Sequence, residues 1–229
     1  LEAGVREERI VDLPLAGVDV ELFQPVADPP ARVALRQALG LADRPTCLFA
    51  GTVLARKRPH LLVPALAALG ERGLDVQVVL AGPEQDKAYA ERMRSEAARL
   101  GVTDRIVWYG FTRRVSELMQ AADLLALPSE DEGIPGVVME AMASGIPCVY
   151  TDISGARDAI DDGVNGTIIP ADGSGLTEAL ARYFAEPAQC AGHGRAARAK
   201  AQEKFSNRVV LERYLRIFDN VCSHRLPGA

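Results

Sequence analysis

Glu132 and Glu140 stand eight residues apart in the stretch Pro128-Ser129-Glu130-Asp131-Glu132-Gly133-Ile134-Pro135-Gly136-Val137-Val138-Met139-Glu140-Ala141-Met142-Ala143-Ser144-Gly145-Ile146-Pro147. An apolar, strand-like run ends at Ser129, a loop with Gly and Pro follows, and a helix is predicted from near Pro135. Proline is pre-organised for a first helical turn, where its missing N–H costs nothing. The free amides of such a turn carry partial positive charge and suit an anionic phosphate. Glu132 falls in the loop, and Glu140 lies on the helix, roughly 7 Å along its axis from Pro135 at 1.5 Å per residue. Carboxylates beside a phosphate site do not hold the phosphate; they accept hydrogen bonds from hydroxyls, such as a ribose diol or a sugar ring. A plainer reading stays open, in which Glu132 complements the helix dipole and Glu140 is a surface residue. Val138, Ala141, Met142 and Gly145 make the core face, with Glu140 beside it.

Elements able to hold this stretch recur along the chain. Six short runs read as buried strands: Thr46–Gly51, Val76–Gly82, Arg105–Phe111, Asp123–Ser129, Pro147–Asp152 and Gly166–Pro170. They are continuously apolar, as parallel strands covered on both faces are. Amphipathic helices alternate with them, one with the stripe Leu61, Leu62, Ala65, Leu66 and Leu69, another with Tyr89, Met93, Ala97 and Leu100 closed by Gly101. The fold class expected is α/β, a doubly wound, Rossmann-like parallel sheet. Gly51, Gly82, Gly110 and Ser129 end four strands and mark one rim, where ligands of open α/β sheets sit, although each glycine is also an ordinary turn residue. Before this core, Arg9–Leu15 is strand-like and Ala31–Leu39 helical. After it, helices are expected at Gly173–Ala185, at Pro187–Lys204, and from Ser206 as N-cap, with Val210, Tyr214, Ile217 and Val221 on one face.

Composition narrows the function classes. The 229 residues are 48% hydrophobic and 25% charged, ordinary for a globular protein with a full core. The net charge of −5, with no basic block, excludes the footprint of a nucleic-acid binder or a polybasic anchor. No apolar run approaches the roughly 20 residues that span a bilayer. Cys47, Cys148, Cys190 and Cys222 are widely spaced and read as reduced, structural cysteines of a cytoplasmic protein. His60, His193 and His224 form no metal-spaced set. Glu130-Asp131-Glu132 admits an acidic metal clamp, but no metal is expected, and Glu130 and Asp131 read as a solvated loop. No G-x-G-x-x-G follows the first strand, which argues against a dinucleotide oxidoreductase.

The Glu132-x7-Glu140 spacing, with Glu-Ala-Met-Ala and Gly-Ile-Pro after it, resembles the signature of retaining glycosyltransferases of the GT-B fold, family 4 or group 1. The resemblance covers nearly the whole chain: Gly17-Val18-Asp19 with Phe23 and Pro25, Gly51 to Lys57, Ile106 to Phe111, Ala122-Asp123 to Ser129, and Gly163 with Asn165-Gly166. It implies a C-terminal, donor-binding domain of a two-domain enzyme. Residues 1–25 would be the interdomain link and first strand, 26–205 the nucleotide-sugar-binding domain, and 206–229 a helix crossing back to the N-terminal domain. Glu132 would bond hydroxyls of the donor sugar and Glu140 the ribose diol. Lys57, in the phosphate loop with Gly51, Thr52 and Arg56, would neutralise the diphosphate without a metal. Amides at Gly136 and Val137 would face the diphosphate or sugar, and backbone groups at Phe111 and Thr112 would bracket the base. The donor would be a nucleoside diphosphate sugar, with no cofactor, and the acceptor an unidentified glycan, lipid or small molecule. The location implied is cytoplasmic, with a peripheral place on the inner membrane face left open.

Departures from the family pattern carry expectations of their own. Thr52 stands where an Arg is usual, so Arg56 or Arg58 would supply a second cation, or none does. Arg58 replaces a common Gly, Pro135 replaces a frequent Gly and deletes an amide, and Leu15-Ala16 replaces Pro-Asn. A chain supplying one sheet is expected to bind nucleotide without transfer, and to expose apolar surface around Val210, Tyr214, Ile217 and Val221 or along Leu13–Leu22. Two rival readings are a nucleotide-sugar epimerase of similar architecture and a non-catalytic nucleotide-sugar-binding module.

Overall fold

The computed structural model describes residues 16–223 apart from Ile134, and leaves the side chains of Val221 and Ser223 undescribed. The strand-like segment Arg9–Leu15 lies outside the described residues. Six parallel strands follow the apolar runs: β1 (Thr46–Ala50), β2 (Gln77–Ala81), β3 (Ile106–Gly110), β4 (Leu124–Leu127), β5 (Cys148–Thr151) and β6 (Gly166–Ile169). Their order across the sheet is β3-β2-β1-β4-β5-β6. All residues of β1, β2, β4 and β5 are buried, so helices cover both faces, as continuously apolar strands require. The helices are α1 (Pro29–Ala38), α2 (Leu62–Glu71), α3 (Lys87–Arg99), α4 (Val115–Ala121), α5 (Gly136–Ala143), α6 (Ala156–Ala159), α7 (Leu176–Ala185), α8 (Pro187–Lys200) and α9 (Asn207–Ser223). A π-helical turn over Ala201–Phe205 carries α8 on towards α9. No described helix is long and apolar enough to cross a membrane.

The order of strands reverses between β1 and β4, which pair through Cys47–Leu124 and Leu48–Leu125. Asp123 ties the two strands together where they begin. Its carboxylate accepts from the Thr46 amide at 2.7 Å, from Arg32 at 2.8 Å and from the buried Arg36 at 2.9 Å. Fixing one end of this pair fixes the spacing of the loops that leave the other end, β1 into residues 51–61 and β4 into residues 128–135. A ligand site at such a reversal is the general rule for open α/β sheets.

At that rim the glycines are needed for packing as well as turning. Gly51 donates to the Ala81 carbonyl and Gly82 to the Gly110 carbonyl, both at 2.8 Å, extending the ladder past the strand ends. A Cβ on Gly82 would stand 2.0 Å from the Gly51 carbonyl oxygen. Gly82→Ala is therefore expected to cost about 1–3 kcal/mol of stability, as overpacking does, with urea denaturation as the measurement. A change under about 0.5 kcal/mol would mean that the rim relaxes freely.

The segment read as a link is seated on this domain. The Val18 amide donates to Phe205 at 2.8 Å, and the Asn207 amide to Val18 at 2.9 Å. A Cβ on Gly17 would lie 2.7 Å from the Asn207 Cα, so only glycine permits the approach. Asp19 accepts from the amides of Glu21 and Leu22, and Arg198 donates to the carbonyls of Val20 and Phe23.

One expectation about α9 needs correction. Val210 is 4% exposed, with Tyr214 and Ile217 half-buried, so this row faces the chain's own domain. The neighbouring row, Leu211, Leu215 and Phe218, is the exposed one, at 59%, 52% and 62%. Ser206 does stand at the start of α9, its hydroxyl accepting from the Val209 amide at 3.4 Å. Leu22 is exposed as expected, and Leu13 lies outside the described residues.

Candidate donor site

After β1, the chain turns through a 3-10 turn at Ala55–Lys57, and Arg58 takes a left-handed conformation with φ 48°. Arg58 is the one non-glycine with positive φ among the described residues. The strain is offset by two contacts: its Nε donates to Glu130 at 2.9 Å and its Nη1 to the Ala171 carbonyl at 2.7 Å. That conformation explains why glycine suits this position. It also turns the Arg58 side chain to Glu130 and Ala171, whereas Arg56 approaches Glu132.

Lys57 lies across Gly51, close enough that a Cβ there would be 3.3 Å from the Lys57 Cδ. Its ammonium reaches the Glu132 carboxylate, Nζ to Oε1 2.5 Å, with both side chains largely buried. Arg56 stands 3.9 Å from the same oxygen and donates to the Asp131 carbonyl. The Glu130 amide donates to the Arg56 carbonyl at 2.8 Å. Arg56, Lys57 and Arg58 thus meet the acidic loop at the Asp131 carbonyl, at Glu132 and at Glu130 across the β1/β4 switch. Glu130 and Asp131 are exposed, as a solvated loop requires, while Glu132 is largely buried. Among the described residues no group of three His, Cys, Asp or Glu side chains could hold a metal ion.

The acidic loop is held from below by β5, which sequence reasoning did not single out. The Thr151 hydroxyl donates to the Ser129 carbonyl at 2.6 Å, and the Tyr150 hydroxyl to the Gly133 carbonyl at 3.2 Å. Tyr150 is fully buried; desolvation, then the Glu132 and Asp131 charges, raise its phenol pKa far above the ordinary value. It therefore acts as a neutral donor. Ser129 also donates its hydroxyl to Glu132 at 3.3 Å. The pattern Cys148-Val149-Tyr150-Thr151 reads as plain core strand, and only the parallel register beside β4 reveals which oxygens face the loop.

Pro135 caps α5 with extended backbone rather than occupying its first turn, and no side chain caps the helix. The amide that proline lacks is thus outside the helix, and the first-turn amides of Gly136 and Val137 keep their freedom. Glu140 lies on α5 beside the buried Met139 and Ala141. Its carboxylate is half-buried and has no hydrogen bond or ion pair to any described residue, and burial raises its pKa. Beyond β3, Phe111 is 74% exposed, and the Thr112 hydroxyl accepts from the Arg114 amide at 3.0 Å before α4. The late turn is structural: Gly163 has φ 73°, buried Asn165 accepts from the Asp161 amide at 2.9 Å, and a Cβ on Gly166 would stand 2.8 Å from the Cys148 carbonyl oxygen.

Comparisons with known proteins agree with this architecture. The family model described as "Glycosyl transferases group 1" matches residues 32–201. A D-inositol 3-phosphate glycosyltransferase of Xylanimonas cellulosilytica is 36% identical over 211 residues, covering 90% of this chain and 48% of its own. A GDP-mannose-dependent alpha-(1-6)-phosphatidylinositol monomannoside mannosyltransferase of Mycolicibacterium smegmatis is 32% identical over 206 residues, 84% of this chain and 52% of its own. Among solved structures, Anabaena HepE in complex with UDP superposes with a TM-score of 0.86 at 26% identity, covering 96% of this chain and 60% of that one. The chain spans about half the length of the curated relatives it matches. A switch-point site on a six-stranded parallel sheet, a matching family model and relatives above 30% identity lead to one conclusion: the chain belongs to the group 1 glycosyl transferases, with the Rossmann-like architecture of GT-B enzymes.

Proposed function

We propose that this chain binds the nucleoside diphosphate sugar of a glycosyltransferase, and that the whole enzyme passes the sugar to an acceptor with retained configuration. The observation that carries the reading is Glu140, a half-buried carboxylate with no partner among the described residues, beside a helix start with free amides. Buried polar groups in native proteins are satisfied, and a vicinal diol supplies the two donors this carboxylate lacks. Glu140 then accepts from the ribose 2′ and 3′ hydroxyls, Glu132 from hydroxyls of the sugar, and the amides of Gly136 and Val137 face the diphosphate. Gly51 and Thr52 bring backbone close to the phosphates. The base stacks beside Phe111 and meets backbone groups of Phe111 and Thr112. Lys57, with Arg56 as the second cation, neutralises charge developing on the leaving diphosphate, so no metal is needed for that step. The leaving group departs on the face the acceptor attacks, and positioning supplies much of the rate.

Support for a nucleotide ligand comes from the relatives: HepE was crystallised with UDP, and the Mycolicibacterium enzyme is named for GDP-mannose. Calorimetric titration with UDP-glucose, GDP-mannose and the parent diphosphates, with and without a chelator, is the test. Binding of one base series, unaffected by chelator, is expected; binding of none overturns the reading, and strict need for Mg²⁺ or Mn²⁺ overturns its metal-free part. The 229-residue polypeptide by itself is expected to bind donor without transferring sugar, because one sheet supplies one wall of a cleft. Transfer to any acceptor by this polypeptide alone would refute that division of labour.

A further inference from the structure

The two carboxylate-bearing positions of the site differ in what they do without ligand. Among the described residues Glu140 has no partner, whereas Glu132 is engaged with Lys57 at 2.5 Å. The group expected to meet the diphosphate is thus already neutralised by the group expected to meet the sugar. We propose that Glu132 distinguishes the sugar donor from the spent nucleotide by exchanging partners, neutralising Lys57 when no sugar is present and turning to sugar hydroxyls when one is. The inference rests on the donor-site reading above and deepens it.

The surroundings confine the exchange to one side chain. The loop backbone is pinned at Ser129 by Thr151, at Gly133 by Tyr150, and at Glu130 by the Arg56 carbonyl. Arg58 bonds Glu130 and the Ala171 carbonyl, holding the two loops together. Turning Glu132 needs only rotation about its own side-chain bonds, and Ser129 Oγ offers a hydrogen bond at 3.3 Å on the starting side. A nucleoside diphosphate sugar replaces both halves of the pair: its phosphates take Lys57 and its hydroxyls take Glu132. A nucleoside diphosphate replaces only one half, and leaves Glu132 a largely buried anion beside another anion. That state is costly, so Glu132 competes for Lys57 and favours departure of the product.

The test is calorimetry of the parent chain and Glu132→Gln with UDP, GDP, UDP-glucose and GDP-mannose. Glutamine keeps the shape and a carbonyl acceptor for the sugar but cannot neutralise Lys57. Glu132→Gln is expected to bind the diphosphate about tenfold tighter and its sugar no tighter, lowering the preference for the sugar-bearing form about tenfold. An equal gain for diphosphate and sugar nucleotide overturns the inference, since relief of plain charge repulsion acts on both. No gain for the diphosphate overturns it as well. If the parent binds neither UDP nor GDP, the donor-site reading falls and the inference with it.

Discussion

Glu140→Gln is expected to weaken nucleoside diphosphate binding by about 1.5–3 kcal/mol, roughly ten- to a hundredfold, as for hydrogen bonds to charged groups. The free protein should be no less stable for the change. Burial raises the Glu140 carboxyl pKa, and the carboxylate gains no protein hydrogen bond to offset its desolvation. A carboxyl whose pKa is higher folded than unfolded favours the fold while protonated, and that contribution is lost as pH rises through the raised pKa. At neutral pH the ionised group therefore costs stability, and glutamine removes the cost. Relative to the parent, Glu140→Gln should gain stability as pH is raised from acid to neutral, while losing affinity. Thermal unfolding over that pH range, with nucleotide titration at neutral pH, checks both. A loss of stability matching the loss of affinity would return Glu140 to a structural role, and unchanged affinity would remove it from the site.

The sheet was legible because burial on both faces leaves one sequence pattern: all six apolar runs became strands, with boundaries moved by a residue or two. Residue type at fixed spacing brought out Glu132 and Glu140 as candidates, and the resemblance to the family brought out the loop holding Lys57. The site's contacts were less legible, because Lys57 and Glu132 are 75 residues apart and meet only through the order β1-β4. Where Arg58 points depended on one backbone angle: in its left-handed conformation its guanidinium meets Glu130 and Ala171. Tyr150 was hidden because a hydroxyl at the end of a buried strand looks like core until its neighbour is known. The orientation of α9 could not be read at all from periodicity. Val210, Tyr214 and Ile217 form one apolar row and Leu211, Leu215 and Phe218 another, so tertiary packing alone decides which is covered.

Lys57→Ala is expected to erase most of the preference for a nucleoside diphosphate over the monophosphate and the free nucleoside. In the parent that preference should shrink as salt is raised, because a partly exposed ion pair with phosphate is screened by mobile ions. The lysine's stem lies over Gly51, where any side chain would crowd it, and its ammonium meets Glu132 with both side chains largely buried. Loss of the cation removes a charge-assisted contact worth about 1.5–3 kcal/mol and leaves Glu132 without its counter-ion, adding repulsion towards an incoming diphosphate. Arg56→Ala should give a smaller loss, since its side chain is about half exposed and stands 3.9 Å from Glu132. Arg58→Ala should act through the loops instead, lowering stability and weakening nucleoside and diphosphate binding alike. Titrating the three variants with nucleoside, monophosphate and diphosphate at two salt concentrations separates these outcomes. A diphosphate preference that survives Lys57→Ala but disappears in Arg58→Ala would move the phosphate site to the far side of the β1 loop.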